Sequence, residues 1–271
     1  KMFKELFLTN NISFKAISLD ENGIVIDDLK KYDVNIAYVT PSHQFPTGAI
    51  MSISRRTELL NWANENTERY IVEDDYDSEF KYTGRPIPAL KANDINDKVI
   101  YLGSFSKSIS PAIRVSYLVL PKALLNIYQR ELPYFICPVP TLNQKILYRF
   151  IKDGYFVKHI NKMRTLYKKK REFLVNTIKS YSSEILNKEI QIQGADAGLH
   201  MVIKLNQKIN EKLFLNECLE NSLKLYSLEE YNIEKIHREK SYFLLGYANL
   251  TNKEIEEGIL LMLKILKKYY T

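Results

Sequence analysis

Short, almost continuously apolar segments alternate with helical patterns through the first half of the chain. Between the first two of these segments, Leu59, Leu60 and Ala63 recur at helical spacing. Segments this apolar are usually strands buried on both faces, because helices cover both sides of a parallel sheet. The alternation therefore predicts an open α/β sheet of mixed but mostly parallel strands. The predicted strands are 35–39, 70–72, 98–102 and 115–120.

The second half of the chain has a different pattern. One long helix is predicted over 156–178, and Thr141 is a predicted N-cap for a shorter helix before it. Short strands and helices follow, as in an α+β domain. We therefore expect part of a large domain over residues 1–153, and the long linking helix with a smaller C-terminal domain over residues 154–271. The later elements are strands near 199–203, 223–228 and 242–247, and helices near 210–219 and 253–268, the last capped by Thr251 or Asn252.

Composition excludes several classes of protein. Hydrophobic residues make up 45% of the 271 residues and charged residues 26%, the balance of a globular protein rather than of a disordered chain. The two cysteines, Cys137 and Cys218, form no Cys-x-x-Cys motif, which excludes a zinc ribbon and a redox dithiol and suits a reducing compartment. No apolar run approaches the length of a membrane span. We therefore expect a cytoplasmic protein with no membrane partner.

The net charge of +7 raises the question of a nucleic-acid partner. The basic residues are spread along the chain among 32 acidic ones, and 168–171 is a short basic run. A run of this length is usually a solvated helix face. The charge therefore does not predict direct binding of nucleic acid by this chain.

A dense acidic segment, EDDYDSEF at 73–80, follows the second predicted strand. In open α/β sheets, ligands bind outside the carboxyl ends of the strands. One interpretation is a solvated acidic loop, and another is a site where a bound cation compensates the carboxylates. A metal site is not favoured, because no histidine lies near in the sequence and no ligand spacing repeats.

A lysine among hydroxyls follows the third predicted strand, in the segment GSFSKS at 103–108. An exposed charge is the ordinary interpretation of a lysine, but Ser104 and Ser106 beside Lys107 also suit a phosphate group next to an amine. The segment lacks the GxxxxGK[ST] pattern of a nucleotide-binding loop. Arg114, seven residues on, is placed to bind the same phosphate through two hydrogen bonds.

A third segment, TPSHQFPTG at 40–48, follows the first predicted strand. Its two prolines and its glycine predict a rigid turn that presents either His43 or Gln44. A single histidine in a loop is more often structural than catalytic, so both residues stay candidates.

Together, these three segments meet the needs of pyridoxal 5′-phosphate (PLP). This cofactor needs a lysine amine for its Schiff base, hydrogen-bond donors for its phosphate and a carboxylate for its pyridinium nitrogen. A phenol or an amide near the ring hydroxyl O3′ tunes the bond to the lysine. The sequence therefore predicts a PLP site.

The same three segments, with LLGYANL at 244–250 and the helix after it, resemble the aminotransferase-type domain of the MocR/GabR family of bacterial transcription regulators. The resemblance covers nearly the whole chain and implies the fold-type I architecture of PLP-dependent aminotransferases. It implies that Lys107 forms the Schiff base, that Asp74 contacts the pyridine nitrogen and that Tyr76 faces O3′. The other residues implied to hold the cofactor are Ser104, Ser106 and Arg114 at the phosphate, and His43 or Gln44 at the ring.

Two departures from the family pattern bear on function. Family members carry an N-terminal winged helix-turn-helix and a first part of the large domain that nothing here matches, so we expect a fragment of a longer protein. In the family, an arginine after a later strand binds the carboxylate of the ligand. The corresponding position here is Glu230, and Arg238 is the only arginine beyond position 171.

The resemblance implies an effector-sensing domain of a GntR/MocR-type regulator that binds PLP and an amino-acid or amine ligand. It implies a homodimer, contact with DNA only through a winged helix outside this chain, and at most weak or vestigial transaminase activity. The alternative is a genuine PLP-dependent aminotransferase acting on an amino acid. A third class is a dimerisation module without cofactor.

Overall fold

The structure is a computed structural model that describes residues 2–84, 87–233 and 238–270. Its contacts divide the chain into two compact units. The first, here called the N-terminal unit, comprises Ile17–Gln44 and Ala49–Thr165. The second, the C-terminal unit, comprises Lys1–Ala16, Phe45–Gly48 and Leu166–Thr271.

Helices and strands alternate along most of the chain. The helices are α1 (Met2–Thr9), α2 (Ile26–Leu29), α3 (Ile53–Asn64), α4 (Phe105–Ser108), α5 (Lys122–Glu131), α6 (Thr141–Lys152), α7 (Tyr155–Leu186), α8 (Glu211–Glu220) and α9 (Asn252–Leu266). The strands are β1 (Leu19–Asp20), β2 (Gly23–Ile24), β3 (Ile36–Val39), β4 (Tyr70–Asp75), β5 (Val99–Ser104), β6 (Ser116–Val119), β7 (Gln191–Gln193), β8 (His200–Lys204), β9 (Tyr226–Ser227) and β10 (Tyr242–Gly246).

The N-terminal unit is built on a four-stranded sheet in the order β3-β4-β5-β6. Strands β3, β4 and β5 run parallel, and β6 pairs antiparallel with β5. This confirms the predicted α/β class with a mixed, mostly parallel sheet. The carboxyl ends of the three parallel strands therefore meet at one edge of the sheet, which is where a ligand is expected.

Helix α3 covers one face of this sheet through its apolar side chains. Ser52 caps the helix by accepting a hydrogen bond from the backbone N–H of Arg55 at 3.3 Å. Leu59, Trp62 and Ala63, at helical spacing, are fully buried in one cluster with the sheet residues. Burying a large apolar side chain contributes about 1.5–3 kcal/mol, so this face fixes the helix on the sheet.

Three details of this unit differ from the sequence prediction. Strand β4 extends to Asp75, because its ladder with β5 continues as far as the pair Asp75–Gly103. Helix α6 begins at Thr141 itself, with Pro140 preceding it and no side-chain cap. Strand β6 is exposed along its whole length rather than buried on both faces, since it lies at the edge of the described sheet.

The C-terminal unit contains a second four-stranded sheet, in the order β7-β8-β10-β9, with every pair antiparallel. Its core joins residues of β8 and β10 to the apolar sides of α7, α8 and α9. Thr251 is the cap of α9, in a reciprocal capping box with Glu254. The predicted strand at 223–228 is reduced to β9, and the predicted long helix is confirmed as α7.

None of the described helices combines the length and the apolar character needed to cross a membrane.

Candidate functional site

The end of β4 carries the central carboxylate of the candidate site. Buried and half-buried residues alternate along this strand, so that Asp74 lies on one face and Asp75 on the other. The phenol of Tyr38, on the neighbouring strand β3, donates a hydrogen bond to Oδ2 of Asp74. Register explains this contact, because Tyr38 pairs with Val72, two residues before Asp74 on the same face.

Asp74 is half-buried, and its surroundings favour a positively charged partner. Burial raises the pKa of its carboxyl, the bond from Tyr38 opposes this, and the nearby Asp75 and Asp77 raise the pKa further. No cation forms an ion pair with Asp74 among the residues that the structure describes. The protonated ring nitrogen of a bound cofactor would compensate the negative charge of the Asp74 carboxylate.

Asp75 belongs to a separate network on the opposite face of the sheet. Its Oδ2 accepts hydrogen bonds from the phenol of Tyr101 at 2.6 Å and from the hydroxyl of Ser78 at 2.7 Å. Asp75 is 7% exposed, so these contacts are shielded from solvent. This network ties β4 to β5 and leaves Asp74 as the carboxylate that faces the other way.

Tyr76 and His43 lie together just beyond the end of β4. The phenol of Tyr76 donates to the backbone carbonyl of His43 at 2.7 Å, and Nδ1 of His43 lies 2.9 Å from Oδ2 of Asp77. His43 is 1% exposed, whereas Gln44 is half-buried. A bond from the N–H of Gln44 to the carbonyl of Ala49 at 2.7 Å closes the turn that carries both.

Lys107 follows the end of β5, the strand next to β4. The hydroxyl of Ser104, the last residue of β5, accepts a hydrogen bond from the N–H of Ser106 at 3.2 Å and so starts the short helix α4. Lys107 is the third residue of α4, and its side chain is exposed. Within 2–84, 87–233 and 238–270, its amine makes no hydrogen bond or ion pair, so it is accessible to an added group.

Arg114 immediately precedes Val115 and the strand β6, on the other side of β5. Its backbone is left-handed, with φ of 51° and ψ of 37°, a conformation that few residues other than glycine adopt. Its side chain is exposed and has no hydrogen-bond or ionic partner in the described part of the chain. Such a backbone conformation is costly, and it is more common at ligand-binding sites than elsewhere.

The predicted site residues differ in exposure: Lys107 and Arg114 are exposed, whereas His43 is buried. A cavity of about 430 Å³ in the N-terminal unit is lined by Phe105, Tyr117 and residues of α6, but not by Asp74 or Lys107. The ring of Tyr117 lies across Gly103, where a Cβ atom would come within 2.1 Å of its Cζ. Gly103 therefore lets this aromatic ring pack against β5 next to Lys107.

Sequence reasoning missed three residues that hold this site in place: Tyr38, Asp77 and Arg56. Tyr38 was detectable in principle, since it stands two residues before the turn segment at the end of a predicted strand. Asp77 belongs to the acidic segment 73–80, and nothing in the sequence distinguished it from the other carboxylates there. Nothing local in the sequence indicated Arg56, because its carbonyl partners Pro41, Met51 and Pro88 come from two different loops.

Comparison with known proteins decides the family. The model for aminotransferase class I and II matches residues 20–259, which is most of the chain. The chain belongs to the class I and II aminotransferase family. The predicted fold class is thereby confirmed.

Several of the curated proteins that are similar to this chain are transcription regulators. The HTH-type transcriptional regulator YdeL of Bacillus subtilis is 37% identical over 257 residues, covering 94% of this chain and 54% of that protein. The probable rhizopine catabolism regulatory protein MocR of Rhizobium meliloti is 29% identical over 243 residues, covering 90% of this chain and 48% of that protein. The resemblance to MocR-type regulators is confirmed, and the chain spans about half the length of these relatives.

Solved aminotransferase structures share the fold. The multiple substrate aminotransferase from Thermococcus profundus has a TM-score of 0.84 and 26% identity, covering 97% of this chain and 66% of that one. The α-aminoadipate aminotransferase LysN from Thermus thermophilus, complexed with N-(5′-phosphopyridoxyl)-L-leucine, has a TM-score of 0.80 and 25% identity. The match covers 95% of this chain and 66% of that one. The roles of individual site residues in this chain stay predictions.

The two neighbouring aspartates at the end of β4 give a matched pair of variants. Asp74→Asn is expected to weaken PLP binding by about 10- to 100-fold, because a hydrogen bond to a charged group contributes about 1.5–3 kcal/mol. Asp75→Asn is expected to lower stability through Tyr101 and Ser78 while changing PLP affinity less than about threefold. Absorption titration with PLP and urea unfolding measure the two effects. A silent Asp74→Asn beside a damaging Asp75→Asn would reverse the assignment.

Proposed function

We propose that this chain is the effector-sensing domain of a GntR/MocR-type transcription regulator, which holds PLP through Lys107 and binds an amino-acid or amine ligand. DNA contact is assigned to a winged helix outside this chain. The regulator works in the cytoplasm, and the free thiols of Cys137 and Cys218 are compatible with that compartment.

The observation that carries this proposal is that Asp74 and Lys107 lie at the carboxyl ends of two neighbouring parallel strands, Asp74 within β4 and Lys107 just after β5. Asp74 pairs with Leu102 in the register of β4 and β5, and Lys107 follows the end of β5 by three residues. The residues that carry this carboxylate and this amine, Asp74 and Lys107, therefore lie at the same edge of the sheet. A cofactor with a basic ring nitrogen and an aldehyde needs these two kinds of group, a carboxylate for the nitrogen and an amine for the aldehyde.

The side chains present fit PLP. Asp74 would hold the ring nitrogen, Tyr76 with His43 or Gln44 would lie at the ring, and Ser104, Ser106 and Arg114 would hold the phosphate. When bound, PLP supplies an electron sink for the Cα of an amino acid. Arg114 offers a planar fork of donors that suits a phosphate, and its side chain is not engaged elsewhere in the described chain.

The C-terminal unit favours sensing over turnover. Glu230, where the resemblance expects an arginine, has a structural task, since its carboxylate accepts the N–H of Ser227 at 3.3 Å in a capping box. Arg238 is engaged with Asn232 at 3.3 Å and with the ring of Tyr242. A transaminase must fix the carboxylate of each substrate in turn, which a bidentate arginine does well.

We therefore expect little efficient transamination from the full-length gene product. Conversion of the cofactor to its amine form by amino acids, and its return with keto acids, should be slower than about 1 per second. Single-turnover absorption spectroscopy with a panel of amino acids measures this rate. Glu230→Arg should bind ligand carboxylates more tightly than wild type, whereas Glu230→Gln, which only removes the charge, should gain less. Turnover at ordinary enzyme rates by the wild type would make the protein an aminotransferase.

That second candidate, a genuine aminotransferase, has support of its own. The aromatic-amino-acid aminotransferase 1 of Thermococcus litoralis is 27% identical over 266 residues, covering 94% of this chain and 62% of that protein. The fold is common to both functions and does not separate them. A winged helix in the full-length gene product would favour the regulator, and turnover at ordinary enzyme rates would favour the aminotransferase.

We also propose that the intact domain is a homodimer, as the resemblance implies. The segment between α5 and α6 exposes Tyr134 by 90%, Phe135 by 73% and Ile136 by 90%. Contiguous exposed apolar side chains usually mark a protein interface. Light scattering of the full-length gene product at micromolar concentration is expected to give twice the mass of one chain. A mass of one chain would contradict the proposal.

A further inference from the structure

A buried aspartate–histidine pair contacts Tyr76 through its histidine. Asp77 and His43 are each 1% exposed, and Oδ2 of Asp77 lies 2.9 Å from Nδ1 of His43. A carboxylate oxygen accepts hydrogen bonds, so the tautomer of His43 with its proton on Nδ1 suits this contact. The pair therefore fixes the orientation of His43 and of the turn that carries it.

His43 in turn holds the tip of the Tyr76 side chain. The phenol of Tyr76 donates to the backbone carbonyl of His43 at 2.7 Å, and Nδ1 of His43 lies 3.3 Å from the same phenol oxygen. Burial, together with the charges of Asp77 and Asp74, raises the pKa of Tyr76, so its phenol keeps its proton. Among the described residues, the hydrogen-bonded link from Asp77 to Tyr76 runs through His43, and the charge of Asp77 also acts on the phenol directly.

The pair is not optimised for stability alone. Oδ1 of Asp77 is buried and has no hydrogen-bond partner among the described residues. A buried carboxylate oxygen without a partner is destabilising, since the oxygen has lost its water. Oδ1 of Asp75 is likewise buried without a partner among the described residues, so the unpaired oxygen alone does not single out Asp77. The two residues differ at Oδ2, which in Asp75 is held by two hydroxyls and in Asp77 lies against the histidine that contacts Tyr76. This difference in partner favours a role for Asp77 at Tyr76.

We propose that Asp77 and His43 are positioning residues that act through Tyr76 to set the hydrogen bonding at the ring of a bound cofactor. The phenol of Tyr76 has one proton, and the His43 carbonyl accepts it. Moving that carbonyl changes where the phenol points and how much of its proton is available to another acceptor. The inference rests on the proposed function for the cofactor, while the linkage of Asp77, His43 and Tyr76 stands on the structure.

The test is a double-variant cycle in the full-length gene product with Asp77→Asn, Tyr76→Phe and both together. Without cofactor, the readout is the thermal unfolding midpoint. With PLP, the readout is the pH midpoint of the change in the visible absorption band. His43→Gln serves as a second variant that keeps the backbone carbonyl and changes no buried carboxylate. Asp75→Asn is the comparison variant, because it removes another buried carboxylate whose charge also acts on Tyr76 but which makes no hydrogen bond to His43.

We expect Asp77→Asn to shift the absorption midpoint by about half a pH unit or more when Tyr76 is present, and by less than about 0.2 in the Tyr76→Phe background. The unfolding midpoint of the double variant should fall no further than that of Asp77→Asn alone. His43→Gln should reproduce both results, and the coupling between Asp75→Asn and Tyr76→Phe should be smaller than that between Asp77→Asn and Tyr76→Phe. Additive effects of Asp77→Asn and Tyr76→Phe in both readouts would overturn the proposal.

The two readouts separate this proposal from the proposed function. If the wild type shows no visible band with PLP, the proposed function fails, and a non-additive unfolding midpoint still supports the linkage of the three residues. If the wild type shows the band but both cycles are additive, cofactor binding stands and the positioning role is wrong. If Asp77→Asn does not fold, the same cycle with His43→Gln decides.

Discussion

Replacement of Lys107 by arginine is expected to abolish covalent attachment of PLP while leaving the fold intact. A guanidinium stays protonated and does not form a Schiff base with an aldehyde. The arginine therefore keeps the positive charge of the lysine but lacks the amine that would bond to PLP. Lys107 is exposed and has no ionic partner in the described part of the chain, and its removal therefore costs little stability. The visible absorption band of the PLP-loaded protein should disappear in Lys107→Arg.

The control for this experiment is another exposed lysine of the same unit. Lys122, the first residue of α5, lies outside the candidate site. Lys122→Arg should retain the band with unchanged intensity. A band that survives in Lys107→Arg would mean that another lysine carries the cofactor, and it would remove the basis for the roles of Ser104, Ser106 and Arg114.

Arg56→Met is expected to destabilise the protein by about 3–5 kcal/mol, because it leaves a buried carboxylate without its cation. Arg56 is 2% exposed, and Glu73, 4.0 Å away, is fully buried. The guanidinium also donates to the carbonyls of Pro41, Met51 and Pro88 at 2.9–3.1 Å. Arg56 thus joins the turn that carries His43 to the strand that carries Asp74.

Glu73 explains why the loss should be large. Burial raises the pKa of its carboxyl, while the N–H groups of Leu90 and Lys91, at 2.8 and 2.9 Å, and the charge of Arg56 counteract this. Urea unfolding measures the free energy of each variant. Arg130→Met, which removes an exposed arginine paired with Glu131, should cost less than about 1 kcal/mol. A loss below about 1 kcal/mol for Arg56→Met would contradict this account of the buried pair.

The strands and helices that form the scaffold were predictable from local patterns. Continuous apolar runs identify buried parallel strands, and the spacing of Leu59 and Ala63 identifies α3, because each signal depends only on residues close in sequence. Asp74 and Lys107 were recognisable as site candidates for the same reason, since each stands at the end of such a run.

The contacts between elements were not predictable in the same way. The bond from Tyr38 to Asp74 depends on the register of β3 against β4, which neither strand specifies alone. The exposure of β6 depends on its edge position and not on its apolar composition. The role of Glu230 as a cap depends on the short helix Leu228–Tyr231. The sequence pattern predicted a strand near 223–228 and no helix after it, and the resemblance identified Glu230 only as the counterpart of a carboxylate-binding arginine.

Borohydride reduction of the PLP-loaded full-length gene product, followed by peptide mapping, tests the central claim most directly. Reduction converts a Schiff base into a stable bond, so the label marks the lysine that holds the cofactor. The account predicts the label on Lys107, and its loss in Lys107→Arg. A label on any other lysine, or no label on a protein that is folded and saturated with PLP, would contradict it.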